Sequence, residues 1–182
     1  MVPALPYPTE LARDVRLPDG AQLHVRPIRA GDDPALRALF HRLSMRSRYQ
    51  RFFTPIHRLP ERWLHQFVNV DYRERLALVA ERPSGTTLEI VGVARYEPAG
   101  MADRREIAVV IDDHWQARGL GTILLDELLR AAEARGVTEF CAFVLADNVG
   151  MLGVIARLGT VIARTTEQGV VELLFARARR AP

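Results

Sequence analysis

The chain has 182 residues, 48% of them hydrophobic, with a mean hydropathy of −0.03, a size and balance that fit one soluble domain able to bury roughly 70% of its unfolded surface. All 25 basic side chains are arginine; with no lysine, a Walker phosphate loop and a Schiff-base enzyme are both excluded. A single cysteine rules out an intrachain disulfide and points to a reducing cytoplasm, and no apolar run reaches the ~18–20 residues of a membrane span.

In chain order, residues 1–12 carry Pro3, Pro6 and Pro8 and no apolar leader segment, so they are expected to form a flexible tail. Residues 13–28 alternate polar and apolar around Pro18-Asp19-Gly20, a hairpin signal. Asp32 or Asp33 can cap a helix with Pro34 in its first turn and Leu36, Leu39, Phe40 and Leu43 on its apolar face. A second helix is expected over residues 47–53, ended by Pro55. A third begins at Pro60 with Trp63, Leu64 and Phe67. Residues 75–82 and 88–96 read as antiparallel strands joined at Pro83-Ser84-Gly85-Thr86. Residues 104–112 form the next strand. A glycine turn follows, and then a helix over residues 122–135 that buries Leu120, Ile123, Leu124, Leu128 and Ala131, with Asp126 and Arg130 paired outside. Gly136 ends it. Residues 137–145 are almost wholly apolar, as a central parallel strand should be. Asp147 or Asn148 caps a short helix with Met151, Leu152, Ile155 and Leu158 inward. Strands 160–166 and 170–175 close the domain at residue 176, and residues 177–182 form a basic, solvated tail. The result is an α/β fold whose strands 107–111 and 137–145 lie parallel through a right-handed crossover.

The stretch that carries chemistry is Gln116-Ala117-Arg118-Gly119-Leu120-Gly121-Thr122, between an apolar strand and a long helix. Two glycines let the backbone approach an anion, and the first-turn N–H groups and the helix dipole attract it. A dinucleotide site would need a glycine where Leu124 stands and an acid at the far end of the next strand, whereas Glu139 is at its near end. Glu106 sits in the strand leading in, on one face with Ala108 and Val110. Its neighbours should desolvate it and raise its pKa, as a general base needs; the alternative is an edge glutamate paired with Arg104 or Arg105. Cys141 lies mid-strand as a buried structural thiol. Ser44, Ser47 and Ser84 form no nucleophile elbow, and the five histidines have no metal-ligand spacing, so neither a covalent intermediate nor a metal is expected. Arg37, Arg42, Arg46, Arg48, Arg51, Arg58 and Arg62 crowd one region against Glu61, either as a solvated helix face or as a receiver of phosphates or an acidic surface. No nucleic-acid motif accompanies them.

The heptapeptide resembles the (Gln/Arg)-x-x-Gly-x-(Gly/Ala) motif of the GNAT superfamily of N-acetyltransferases, and the element order matches that fold from about residue 21 to residue 175. Leu43-Ser44-Met45-Arg46-Ser47-Arg48-Tyr49-Gln50-Arg51-Phe52-Phe53 and Val91-Gly92-Val93-Ala94-Arg95-Tyr96 are similar to the GNAT domain of bacterial protein lysine acetyltransferases. So are Ala77-Leu78-Val79-Ala80 and Glu106-Ile107-Ala108-Val109-Val110. Many such relatives fuse this domain to a cyclic-nucleotide-binding or acyl-CoA synthetase-like domain, for which 182 residues leave no room. The resemblance implies a mixed, mostly antiparallel sheet with its central parallel pair splayed around acetyl-CoA. It implies pyrophosphate binding by the N–H groups of Arg118, Gly119, Leu120, Gly121 and Thr122, with Gln116 and Ala117 leading in. It implies pantetheine pairing along Val109, Val110 and Ile111, with Asn148 and Met151 near the thioester, and Glu106 as base. The acceptor is implied to be a protein lysine, or else a small amine; a sensor of acyl-CoA without turnover is the rival from outside enzymes. The family's tyrosine acid has no counterpart between Asn148 and Leu158. Gly150 and Gly153, costly in a helix, are expected either to make room for the pantetheine or to serve plain helix packing.

Overall fold

The computed structural model describes residues 5–100 and 104–178. Eight strands form one sheet in the order β1-β2-β3-β4-β5-β6-β8-β7. They are β1 (Arg13–Arg16), β2 (Gln22–Pro27), β3 (Leu76–Ser84), β4 (Thr87–Pro98), β5 (Arg104–Ile111), β6 (Glu139–Leu145), β7 (Gly159–Glu167) and β8 (Val170–Arg177). All neighbours are antiparallel except β5 and β6. That parallel pair holds for three residues only, Arg104 to Glu139, Arg105 to Phe140 and Glu106 to Cys141. Beyond Glu106 the strands separate: β5 stays paired with β4 to Ile111, and β6 stays paired with β8 to Leu145. A wedge therefore opens mid-sheet, and the β5 backbone groups that face it beyond Glu106 have no ladder partner; the Ile111 carbonyl is taken by Gln116, and the others can pair with a ligand.

Helices cover the two faces unequally. Helix α4 (Leu120–Glu133) packs on one face, where Leu120, Leu124, Leu125, Leu128 and Leu129 are all 0% exposed. Each such leucine contributes about 1.5–3 kcal/mol of burial. Leu125 and Leu129 lie outside the expected stripe. The helix is buried over a wider arc because α5 (Val149–Leu158) and the sheet flank it together. The other face carries α1 (Asp33–Arg42), α2 (Met45–Phe52) and α3 (Glu61–Val68) over a separate core of Ile28, Leu39, Phe40, Leu64, Val79 and Ile90. Strand alternation sorts β5 between the two cores: Ile107 and Ile111 join the α4 side, and Val110 joins the α1–α3 side.

Several boundaries differ from expectation for local reasons. α2 begins two residues early, because the Ser44 hydroxyl accepts from the Ser47 N–H and caps it. It ends at Phe53 in a left-handed conformation (φ 56°), before Pro55 is reached. α1 has Asp32 at its N-cap position, yet that carboxylate makes no cap to the helix and binds Arg26 instead. Residues 5–12, expected as a loose tail, are held to the domain: Leu5 N–H donates to the Asp71 carbonyl, and the Tyr7 hydroxyl to the Pro27 carbonyl at 2.9 Å. The Tyr7 ring also meets Tyr72 edge-on. Arg177, expected in a solvated tail, ends β8 with its guanidinium on Asp126 and Glu133. The remaining tail residues Arg179 and Arg180, like residues 1–4, lie outside the described residues.

Candidate active site

The wedge between β5 and β6 is the mouth of a cavity of about 740 Å³. Ile107, Ala108, Val109, Val110 and Ile111 form one wall, and Ala142, Phe143 and Val144 form the other. Its far end is the start of α4. Ala117 (φ 57°) and Gly119 (φ 89°) both turn left-handed there, bending the chain so that the helix opens onto the cavity. Gln116, Ala117, Gly119, Gly121 and Thr122 line that end. The first-turn N–H groups have no acceptor inside the helix. A Cβ at Gly121 would meet only the Ile111 side chain, at 3.8 Å, so the protein itself has room for one.

Two residues of the heptapeptide turn their side chains elsewhere. Leu120 is 0% exposed in the core. Arg118 stacks over Trp115 at 4.2 Å and donates to Asp19 at 2.5 Å, tying the turn to the β1–β2 hairpin. Only their backbone is left to serve a ligand. Gln116 is a brace: its Nε2 donates to Ser47 Oγ and to the Ile111 carbonyl, each at 3.0 Å. Across the wedge, Asn148 Oδ1 caps α5 by accepting from Met151 N–H at 3.1 Å, and both residues line the cavity. Gly150 lines it too, whereas Gly153 does not and has open space where its Cβ would be. Gly153 therefore makes no room for a ligand.

Glu106 stands where the strands part, and it lines both this cavity and a second one of about 270 Å³. The two neighbouring arginines serve other acids: Arg104 pairs with Glu139 at 2.9 Å and Arg105 with Glu74 at 2.6 Å. Burial raises the Glu106 pKa above the ordinary 4.5; Arg51 opposes the rise and Glu97 adds to it. The second cavity is walled by aromatic rings from α2 and α3. Phe52 stacks on Trp63 at 5.9 Å and on Phe67 at 6.4 Å. Arg95, 5% exposed, lies under Phe67 at 4.3 Å and pairs with Glu97 at 2.6 Å. Desolvation, chiefly, lowers the Arg51 guanidinium to about 10. In the sequence Trp63 and Phe67 pass as core positions of an amphipathic helix. Only the sheet beneath them, which places Glu97 and Glu106 at their feet, marks them as a cavity wall.

The arginine-rich region is mostly structural. Arg42 donates to Asp112 at 2.7 Å and to the Ile90 carbonyl at 2.6 Å. Arg48 holds the carbonyls of Leu43, His57 and His41, and Arg37 holds Glu61. Arg46 and Arg51 are the members that line a cavity. Sequence reasoning missed the clamp between α2 and the phosphate-type turn. Asp113 accepts from Ser44 N–H at 2.9 Å, Ser44 Oγ at 2.6 Å and Ser47 Oγ at 2.9 Å. The signal was present as adjacent acids after an apolar strand, but their partners lie 66 and 69 residues away. Asp113→Ala should lower stability by about 1–3 kcal/mol, since the serine donors lose a shared acceptor, seen as a thermal midpoint about 2–12 °C lower. Hydrogen bonds hold Asp112, Asp113 and Asp126 below the ordinary 3.8, against burial, which acts the other way. The stability these three carboxylates contribute is full above their unfolded value of about 3.9 and is lost as pH falls through the depressed folded values.

The sequence profile of the acetyltransferase (GNAT) domain matches residues 22–161. The chain belongs to the GNAT acetyltransferase family. Among GNAT relatives, an acetyltransferase of Pseudomonas aeruginosa is 31% identical over 145 residues, 80% of this chain and 78% of that protein. Acetyltransferase Pat of Mycolicibacterium smegmatis is 31% identical over 159 residues, 86% of this chain but 46% of its own length, so the chain spans about half of that relative. The GNAT domain of S. lividans PAT superposes with a TM-score of 0.84 at 34% identity, covering 94% of this chain and 99% of that one. The eight-stranded GNAT sheet with one parallel pair is as the sequence led us to expect. No helix among the described residues is long and apolar enough to cross a membrane. The described residues contain no cluster of three or more His, Cys, Asp or Glu side chains that could hold a metal.

Proposed function

We propose that this GNAT acetyltransferase moves an acetyl group from acetyl-CoA to a primary amine, with a protein lysine as acceptor, by direct attack in a ternary complex. The observation that carries this reading is the position of Glu106, at the junction of a cleft ending in a helix N-terminus and a smaller aromatic-walled cavity. The larger cleft takes the donor. Its pyrophosphate accepts from the N–H groups of Arg118, Gly119, Leu120, Gly121 and Thr122, and its pantetheine arm runs between β5 and α5 past Val109, Val110, Ile111, Asn148 and Met151. The smaller cavity takes the acceptor. Its rings suit the methylene stem of a lysine, a slender apolar rod with a polar tip, and the likeness of the 43–53 segment to protein lysine acetyltransferases favours that amine.

Glu106 removes a proton from the ammonium. The nitrogen bonds the thioester carbonyl carbon, collapse breaks the carbon–sulfur bond, and the nitrogen releases its second proton to water. No tyrosine among the described residues lines either cavity, so coenzyme A leaves as thiolate and takes its proton from water. Burial, and secondarily the carboxylates of Glu106 and Glu172, push the Cys141 thiol up to about 11, which supports direct transfer over an acetyl-cysteine intermediate.

The test is coupled binding and turnover. Acetyl-CoA at 100 times its Kd should stabilise the protein by about 2.7 kcal/mol, and free thiol should appear when a lysine-bearing protein is added. Because this chain contains no lysine, acetyl-lysine found by mass spectrometry belongs to the acceptor and not to the enzyme. Stabilisation without thiol release on any protein or amine would make the domain an acyl-CoA sensor; no stabilisation would remove the donor assignment.

A further inference from the structure

The smaller cavity holds a second carboxylate that the reaction above does not use. Glu97 on β4 is directly opposed to Glu106 on β5, and side chains so opposed share one face with Cβ atoms about 4.5–5.5 Å apart. Both line the cavity. Like charges in that relation repel; Arg51 interacts with both and offsets part of the repulsion, and a bound ammonium between them would offset more. The charged groups around it come from several elements. Arg51 reaches in from α2, Arg95 lies beside Glu97 on β4, and the Cys141 thiol on β6 is level with Glu106; α3 contributes Gln66 and rings only. Arg95 forms an ion pair with just one oxygen of Glu97, at 2.6 Å but without hydrogen-bond alignment, and is itself pinned under Phe67. No other hydrogen bond or ion pair to Glu97 occurs among the described residues, and its side chain is 40% exposed into the cavity.

We propose that Glu97 is the acceptor-docking residue: its free oxygen receives the ammonium of a lysine-like amine, opposite Glu106, before proton transfer. Arg95 fixes the carboxylate from behind, and the Phe52, Trp63 and Phe67 rings flank the methylene stem. This selects amines that arrive charged on a slender aliphatic chain over neutral or bulky ones. The inference rests on the reading of Glu106 as base and of the larger cleft as the coenzyme A site.

Two thioethers of coenzyme A test it without a known acceptor protein. One carries a butylamine joined to sulfur through two methylenes, a secondary ammonium at neutral pH; the other carries the same butyl group through a neutral acetamide link. Calorimetry should show wild type binding the ammonium probe at least about tenfold tighter than the amide, the size of a charge-assisted hydrogen bond. Glu97→Gln should cut that preference to about threefold or less while leaving the Kd of coenzyme A unchanged, and Glu97→Asp should keep an intermediate preference. A wild type that does not prefer the ammonium, or a Glu97→Gln variant that keeps the full preference, overturns the proposal. If the preference vanishes in Glu106→Gln and survives in Glu97→Gln, the base alone holds the amine and the proposed function stands without Glu97. If coenzyme A itself does not bind wild type, the donor reading fails and takes this proposal with it.

Discussion

Glu106→Gln is expected to lower kcat/KM for an amine acceptor by about 10²–10⁴-fold, the worth of a positioned general base, while acetyl-CoA binds as in wild type. The amide keeps the shape of the side chain but cannot take the ammonium proton, and the nitrogen lone pair never becomes free. The pH profile is the more specific readout. Burial, and then Glu97, raise the Glu106 pKa, with Arg51 opposing, so the acid limb of kcat/KM in wild type should lie above the ordinary 4.5. Below that limb the rate should fall about tenfold per pH unit, and the Gln variant should lack the limb. Stability gives an internal control with a definite sign. A carboxyl whose folded pKa is raised favours the protonated form, so its anion weakens the fold at neutral pH. Glu106→Gln, neutral at every pH, should therefore melt at or above wild type, and a rate lost through misfolding would show as a lower midpoint. Unchanged kcat/KM in the variant would remove Glu106 from the mechanism.

The largest stability effect is expected away from the cleft, at Arg26. Its guanidinium donates to Asp32 Oδ2 at 2.7 Å, Asp32 Oδ1 at 2.8 Å and Glu81 Oε2 at 2.8 Å, joining β2 to β3 and to the start of α1. Arg26, Asp32 and Glu81 are 6%, 6% and 3% exposed. Burial lowers the Arg26 pKa, but the two carboxylates overcome it and the net shift is upward. Arg26→Met keeps the length of the stem and strands two buried carboxylates, which should destabilise the domain by about 3–5 kcal/mol. For a domain this size that lowers the thermal midpoint by about 6–20 °C. Replacing all three residues by apolar ones of similar volume should recover much of the loss, since no charge is then left unpaired. A single variant as stable as wild type would mean that the triad is fully compensated by its own desolvation.

The sheet and its central helix were legible because their signals are local. Gly119 and the apolar strand before it announce the turn, and Pro18-Asp19-Gly20 and Gln168-Gly169 announce hairpins, all within a few residues. The wedge between β5 and β6 could be expected from the resemblance alone; no spacing in the chain shows that pairing stops at Glu106 and Cys141. What was not legible depends on distant partners. Asp32 looks like a helix cap until Arg26, which also donates to Glu81, is seen to hold it. Arg42 looks like surface charge until Asp112 and the Ile90 carbonyl are brought to it by the sheet. The smaller cavity is assembled from β4, β5, α2 and α3, a lining that runs from Arg51 to Ala108 in sequence. Glu97 had no local signal at all; its meaning comes from the β4–β5 register.

Gly121→Asp asks whether the start of α4 holds the pyrophosphate of acetyl-CoA. The position has helical backbone and room for a Cβ, with only Ile111 nearby at 3.8 Å, and an acid in a first helical turn stabilises the helix by about 0.3–1 kcal/mol. The variant should therefore fold with an unchanged or higher thermal midpoint, yet present a carboxylate where the pyrophosphate must sit. Calorimetric titration with acetyl-CoA should give one-to-one binding in wild type and a Kd weakened by about 100-fold or more in Gly121→Asp, as expected when a phosphate meets a like charge in place of N–H donors. Equal affinity in the two proteins would mean that the pyrophosphate does not sit at the start of α4.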